Sequence, residues 1–260
     1  RAGRRTAACA IRRATRTARA DPRRAQAAGC FRSRSRRREL PGREGGRHVG
    51  HGREAGSRPP VYALRGGAGK TAVSLSMAAA WKKRGRKVVP FKKGPDYIDA
   101  AWLSLAAGQP CYNLDTFLMG RQQVLRSFFQ KSTPGSLSLV EGNRGLYDGL
   151  DAEGSHSTAE LAKLLRAPVV LVIDCDKVTR TAAAMVLGCQ RLDPDVEIKG
   201  VILNRVAGSR HEKILRMAVE QSCNLPILGA VPRMEDFPFP ERHLGLTPPR
   251  EHLGVEKALA

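Results

Sequence analysis

Val61-Tyr62-Ala63-Leu64-Arg65-Gly66-Gly67-Ala68-Gly69-Lys70-Thr71-Ala72-Val73 runs from a short apolar stretch, through a turn with three glycines, into a segment of helical periodicity. Strand, glycine-rich turn and helix in that order are what a phosphate loop requires. Glycines at 66, 67 and 69 let the backbone curl so that successive N–H groups face one anion. The helix N-terminus adds its dipole. In such a loop Lys70 reaches the β- and γ-phosphates of a nucleotide, and the Thr71 hydroxyl ligates Mg2+. Leu64 stands where the strict G-x-x-x-x-G-K-[ST] spacing has Gly. An ordinary turn before a helix is the competing reading, and Gly-Lys-Thr at the helix start weighs against it.

C-terminal to this loop, residues 70–84 predict a helix whose apolar face carries Val73, Leu75, Met77, Ala80 and Trp81, and which stops at Gly85. With the stretch at 61–64, short β-branched or Leu-rich runs at 88–91, 137–140, 169–173 and 201–203 predict strands buried on both faces. Helical patterns at 157–166, 178–191 and 209–222 separate several of them. That alternation predicts an α/β fold, P-loop NTPase-like, with a mostly parallel sheet and helices on both faces. No window of 18 consecutive apolar residues occurs, which argues against a membrane span.

N-terminal to the loop the character changes. Residues 1–58 hold 18 Arg, no Lys and four acids, a net +14 out of the chain's +21. The global charge therefore describes this segment and not the domain. Too little apolar surface is present to offset chain entropy, so a disordered segment is expected. Three readings stay open for it: a basic nucleic-acid arm, a transit peptide, or a non-native stretch from out-of-frame reading of GC-rich DNA. The six cysteines form no C-x-x-C pair, and no His cluster completes a zinc set. A reducing, cytoplasmic compartment is the expectation.

Two further motifs follow strand ends, where open α/β sheets bind ligands. Phe91-Lys92-Lys93-Gly94-Pro95-Asp96-Tyr97-Ile98-Asp99 places two lysines and two carboxylates after the second strand, suited to an anionic substrate and a metal. Gly-Pro-Asp is also ordinary turn chemistry. Val140-Glu141-Gly142-Asn143-Arg144-Gly145-Leu146-Tyr147-Asp148-Gly149 closes an apolar strand on an acid, where P-loop enzymes hold Mg2+ or its water. A Gly-rich surface loop is the plain alternative.

Taken in order, these motifs come with Asn113-Leu114-Asp115, Ser157-Thr158-Ala159-Glu160-Leu161-Ala162, Gly200-Val201-Ile202-Leu203-Asn204-Arg205-Val206 and Pro240-Glu241-Arg242-His243-Leu244-Gly245-Leu246. The series resembles the synthetase domain of the cobyrinic acid a,c-diamide synthase family over roughly 60–250. The resemblance implies ATP- and Mg2+-dependent phosphorylation of the a- and c-acetate carboxylates of a corrin, then displacement of phosphate by ammonia. It assigns Gly66, Gly67, Gly69, Lys70 and Thr71 to nucleotide phosphate, and Thr71, Asp96 and Glu141 to the metal. By the same resemblance Tyr97, Asp99 and Asp148 serve substrate binding or amidation, Lys92 stands near the acyl phosphate, and Asn204 reads adenine. Hydrogenobyrinic acid and nickel-sirohydrochlorin are alternative macrocycles.

The resemblance also divides the chain, into an Arg-rich segment at 1–58, the synthetase domain at 59–250, and at 251–260 the start of a linker to a glutaminase domain. That second domain of the family, with its nucleophilic Cys and its His, has no counterpart in these residues. Amide formation from ammonia but not from glutamine is therefore the expectation. No membrane partner is implied, nucleic acid enters only through the basic segment, and a homodimer is compatible with the chain. The rival from another class is a partition- or division-type P-loop ATPase switch, whose signature lysine would fall at Arg65. Such a switch has no need of Gly-Pro-Asp-Tyr-Ile-Asp or Glu-Gly-Asn-Arg-Gly.

A truncation beginning at Pro59 is expected to stay soluble and to unfold in one cooperative transition by circular dichroism. Insoluble protein would show that the basic segment completes the first strand.

Overall fold

The computed structural model describes residues 68–234 in full, together with the backbone of 61–63, 241–242, 245–246 and residue 249. The expectations for 1–58 and 251–260, and the positions of Arg65, Gly66 and Gly67, lie outside the described residues. In chain order the elements are β1 (Val61–Ala63), α1 (Lys70–Lys83), β2 (Val88–Lys93), α2 (Ile98–Ala107), β3 (Tyr112–Leu114), α3 (Arg121–Lys131), β4 (Leu137–Glu141), α4 (Thr158–Leu165), β5 (Val169–Asp174), α5 (Arg180–Leu192), β6 (Ile198–Val206), α6 (Ser209–Cys223), β7 (Ile227–Pro232), β8 (Glu241–Arg242) and β9 (Gly245–Leu246). No helix among the described residues is long and apolar enough to cross a membrane.

Seven strands make one sheet in the order β3-β2-β4-β1-β5-β6-β7, every pair parallel. β8 and β9 form a separate antiparallel ribbon. The expected mostly parallel α/β sheet is therefore present. Strand side chains alternate between two apolar layers, as a period of two dictates. In β5, Val169, Leu171 and Ile173 enter one core, while Val170 and Val172 enter the other. The first core is closed by α3 to α6, through Val124, Phe128, Leu161, Val186 and Leu215 among others. The second is closed by α1 and α2, through Val73, Leu75, Trp102 and Leu103. Helices thus cover both faces, two on one side and four on the other.

Strands extend past the apolar runs that announce them. β2 continues through Lys92 and Lys93, β4 through Glu141, and β5 through Asp174. The parallel ladder carries the polar residues with it, since Lys92 stands in register with Glu141 on one side and Asn113 on the other. Asp174 is likewise level with Asn204. β3, β7, α2 and α3 were not announced by the sequence pattern.

The chain leaves β1 toward β2 on one side and enters β5 on the other, so β1 and β4 flank the point where the winding reverses. Gly69 and Lys70, at the start of α1, and the acid ending β4 therefore share the crevice where such sheets bind ligands.

Trp102 is fully buried between α2 and the sheet. Trp102→Ala should cost about 3–5 kcal/mol of unfolding free energy in urea titration. A loss under about 1 kcal/mol would mean that α2 does not anchor this face.

Candidate nucleotide and carboxylate site

At the carboxyl ends of β2 and β4 a buried ion cluster gathers four of the residues singled out by the sequence. The Lys92 ammonium lies 2.6 Å from Asp99 Oδ2 and 2.7 Å from Glu141 Oε1. Asp96 Oδ2 is more distant, at 3.9 Å. Lys92 is only 2% exposed and Glu141 is fully buried. Burial alone would push the Lys92 ammonium toward its neutral form, but Glu141 and Asp99 outweigh that and raise its pKa well above the usual lysine range. The Thr71 hydroxyl donates to Glu141 Oε1 at 2.8 Å and lies 3.4 Å from Asp99 Oδ2. Thr71 and Lys92 therefore address the same two oxygens.

Asp99 reaches this cluster because α2 begins where it does. Asp96 Oδ1 accepts from the backbone N–H of Ile98 and of Asp99, both at 3.0 Å, and so satisfies two donors at the helix start. Burial, and then the neighbouring Asp99 charge, raise the Asp96 pKa. Asn113 holds the preceding turn by donating to Gly94 O at 2.5 Å and to Asp96 O at 3.0 Å. Gly94 adopts φ +86°, a conformation that glycine takes without strain. The sequence reading gave the metal to Asp96 and substrate chemistry to Asp99. In the structure Asp96 caps the helix, and Asp99 is the carboxylate beside Thr71 and Glu141. Asn113 had been part of a quoted motif without a role.

Lys70 opens α1 and is largely buried. Desolvation lowers its pKa, against the opposing attraction of Glu141. The charge of Asp148 also reaches it, from a turn in which Asp148 Oδ2 accepts from Gly145 N at 2.9 Å. Tyr97 stands apart from the cluster, 74% exposed on the rim. Phe117, Leu118 and Leu150 are exposed on the loops after β3 and β4.

Asn204 lies beneath the phosphate loop. Its Nδ2 donates to Ala68 O at 2.9 Å, joining segments 136 residues apart. Gly69 sits against that amide with φ +80°, and a Cβ there would come within 2.2 Å of Asn204 Nδ2. Glycine at 69 is thus required twice, by backbone conformation and by space.

Residues 61–246 match the family described as the CobQ/CobB/MinD/ParA nucleotide binding domain. The chain belongs to that family. Consistent with it, a cobyrinate a,c-diamide synthase from Magnetococcus marinus is 50% identical over 195 residues, covering 75% of this chain and 42% of that protein. A cobyrinate a,c-diamide synthase from Dehalococcoides mccartyi is 44% identical over 187 residues, covering 72% and 40%. A hydrogenobyrinate a,c-diamide synthase from Streptomyces coelicolor is 46% identical over 202 residues, covering 76% and 41%. The chain spans about two fifths of the length of these relatives. As a member of the CobQ/CobB/MinD/ParA family it is a nucleotide-binding domain, and Gly69, Lys70 and Thr71 lie at the sheet's switch point, where open α/β sheets bind ligands.

The residues present also fit a hard divalent cation. Glu141 Oε2 is buried with no hydrogen-bond partner, and one oxygen of each of two carboxylates, Glu141 and Asp99, lies within 3.4 Å of the Thr71 hydroxyl. Mg2+ takes such a sparse oxygen set when nucleotide phosphates supply further ligands. Among the described residues no group of three or more His, Cys, Asp or Glu side chains forms a metal cage by itself.

Gly69→Ala should cost about 1–2 kcal/mol from the left-handed backbone alone, with the clash on Asn204 in addition. Asn204→Ala should cost about 1–3 kcal/mol by taking the donor from Ala68 O. In a double-mutant cycle by urea unfolding the two losses should not add, because they share one contact. Strict additivity would separate the loop from Asn204.

Proposed function

We propose that residues 59–250 form the carboxylate-activating unit of a cobyrinate a,c-diamide synthase, amidating the a- and c-acetates of cobyrinic acid with ATP and Mg2+. The observation that carries this reading is the buried Thr71–Glu141–Lys92–Asp99 cluster beside the phosphate loop. It rests equally on 50% identity to a protein of that name. A carboxylate accepts an amine only after one oxygen becomes a leaving group, and phosphoryl transfer from ATP supplies that through an acyl phosphate.

Each residue then has a task. Lys70, opening α1, holds the β- and γ-phosphates. Thr71, Asp99 and Glu141 would hold Mg2+, which would supply charge stabilisation to the transferring phosphoryl group. Asp96 sets the start of α2 and so positions Asp99. Lys92, from the neighbouring strand, stabilises negative charge on the activated carboxylate. Asp148 keeps the Lys70 side of the crevice anionic in the absence of nucleotide. Tyr97, with Phe117, Leu118 and Leu150, offers exposed apolar surface at the mouth where a flat macrocycle would rest. For Asn204 we keep the role of adenine reader, its Oδ1 being the group left to accept once Nδ2 serves Ala68 O.

Hydrogenobyrinate is the second reading, favoured by the 46% identity to the Streptomyces coelicolor relative. Competition between the two macrocycles at equal concentration decides between them by product mass.

The test is conversion of cobyrinic acid to its diamide by the chain with ATP, Mg2+ and ammonium. The rate should rise with pH as ammonium gives up its proton, since only free ammonia attacks the activated carboxyl. Lys70→Ala should lower turnover by about two orders of magnitude or more while the far-ultraviolet spectrum stays unchanged. Normal activity in that variant would refute the phosphate-loop assignment.

A further inference from the structure

The Lys92 ammonium and the Thr71 hydroxyl converge on the same atoms, Glu141 Oε1 and Asp99 Oδ2. A metal ligated by those oxygens and an ammonium bonded to them would stand side by side as like charges. Both cannot keep that place. We infer that Lys92 is the resident cation of the nucleotide-free site, and that a divalent metal enters only by exchanging with it.

Three observations support the exchange. First, the ammonium is bound tightly enough to act as a true occupant, with two contacts of 2.6 and 2.7 Å in a buried setting. Secondly, Glu141 Oε2 is fully buried and without a partner, so the cluster keeps one oxygen that the ammonium does not use and a metal could. Thirdly, Lys92 sits on a long, flexible stem, and its compact charge can swing without moving the backbone. The strand itself stays fixed by its register with β4 and β3.

The arrangement has two consequences for the cycle. Without ligand, Lys92 offsets one of the two negative charges of the carboxylate pair, which lowers the cost of burying them and leaves a net negative site for a divalent cation. With ligand, the arriving metal releases Lys92 toward the phosphates and the substrate carboxylate. The lysine is thereby delivered only when the metal is in place. Metal alone should bind poorly, because it must displace an ammonium without the help of nucleotide phosphates.

This inference rests on the metal–nucleotide reading of the site, and the two can fail separately. The experiment is titration of the full chain with Mn2+ alone, followed by electron paramagnetic resonance, for wild type and Lys92→Met. ADP binding with Mn2+ is measured in parallel by calorimetry. Lys92→Met should bind Mn2+ about tenfold or more tightly than wild type, and Mn2+ should raise its melting temperature more. Equal or weaker Mn2+ affinity in Lys92→Met, with Mn2+–ADP binding intact in wild type, overturns the exchange. Loss of Mn2+–ADP binding in wild type overturns the underlying reading instead.

Should Lys92→Met fail to fold, the wild type carries the test through the 15N resonance of the Lys92 Nζ. Saturation with Mg2+ and ADP should shift that resonance away from its carboxylate-paired position. An unmoved resonance at saturation rejects the exchange.

Discussion

An ammonium buried between two carboxylates fixes the geometry of this site. Taking Lys92 out of water costs several kcal/mol, and so does burying Glu141, so neither is tolerable without the other. The partners come from different parts of the chain: Lys92 from β2, Glu141 from β4, and Asp99 from the first turn of α2. A slip of one residue between β2 and β4 would leave an uncompensated buried charge, a loss of about 3–5 kcal/mol. The cluster thus acts on register as strongly as the apolar pattern does. It also dictates the turn between Gly94 and Ile98, because only a helix begun there brings Asp99 within reach.

A second constraint ties the far half of the sheet to the same place. Asn204 donates to Ala68 O, Cys175 N donates to Asn204 O at 2.8 Å, and Arg205 pairs with Asp174 at 2.8 Å. β5 and β6 are thereby locked to the phosphate loop from below. The start of α1 and the residues just before it receive one anchor from each half of the sheet, Thr71 toward β4 and Ala68 toward β6.

How much of this was legible follows from which signals are local. The centres of β1, β2, β4, β5 and β6 were readable because β-branched and Leu runs suit a sheet covered on both faces, α4, α5 and α6 had apolar stripes, and α1 followed a glycine turn and ended at Gly85. The ends of β2 and β5 were not readable, since Lys92, Lys93 and Asp174 look like loop residues until pairing keeps them in the ladder, whereas the acid closing β4 was. α2 escaped notice because Ile98–Ala107 is apolar on nearly every side and lacks a polar stripe. α3 buries only Val124 and Phe128, one pair four residues apart, although Gly120 before it and Pro134 after it were available as stops. For the site, the motifs that meet at Lys92, Asp99 and Glu141 were legible in the sequence, and the hydrogen bonds that join them were not. Asp96 and Asp99 are three residues apart and equally acidic, and the helix start decides which one lies closer to Lys92, 2.6 Å for Asp99 against 3.9 Å for Asp96. An acid three residues before another at a helix start is itself a capping signal, and that could have separated them.

The two lysines show how position, more than residue type, sets behaviour in the crevice. Lys92 sits directly on Glu141 and Asp99, so attraction exceeds desolvation and the charge is held. For Lys70, which the charges of the same acids also reach, desolvation is the larger effect and its pKa falls. A cation whose burial is not fully offset gains most from an incoming anion. The helix dipole at the start of α1 favours the same ligand at the same point. The opposite shifts of Lys70 and Lys92 are therefore two outcomes of one balance, between desolvation and the charge of the carboxylate ending β4.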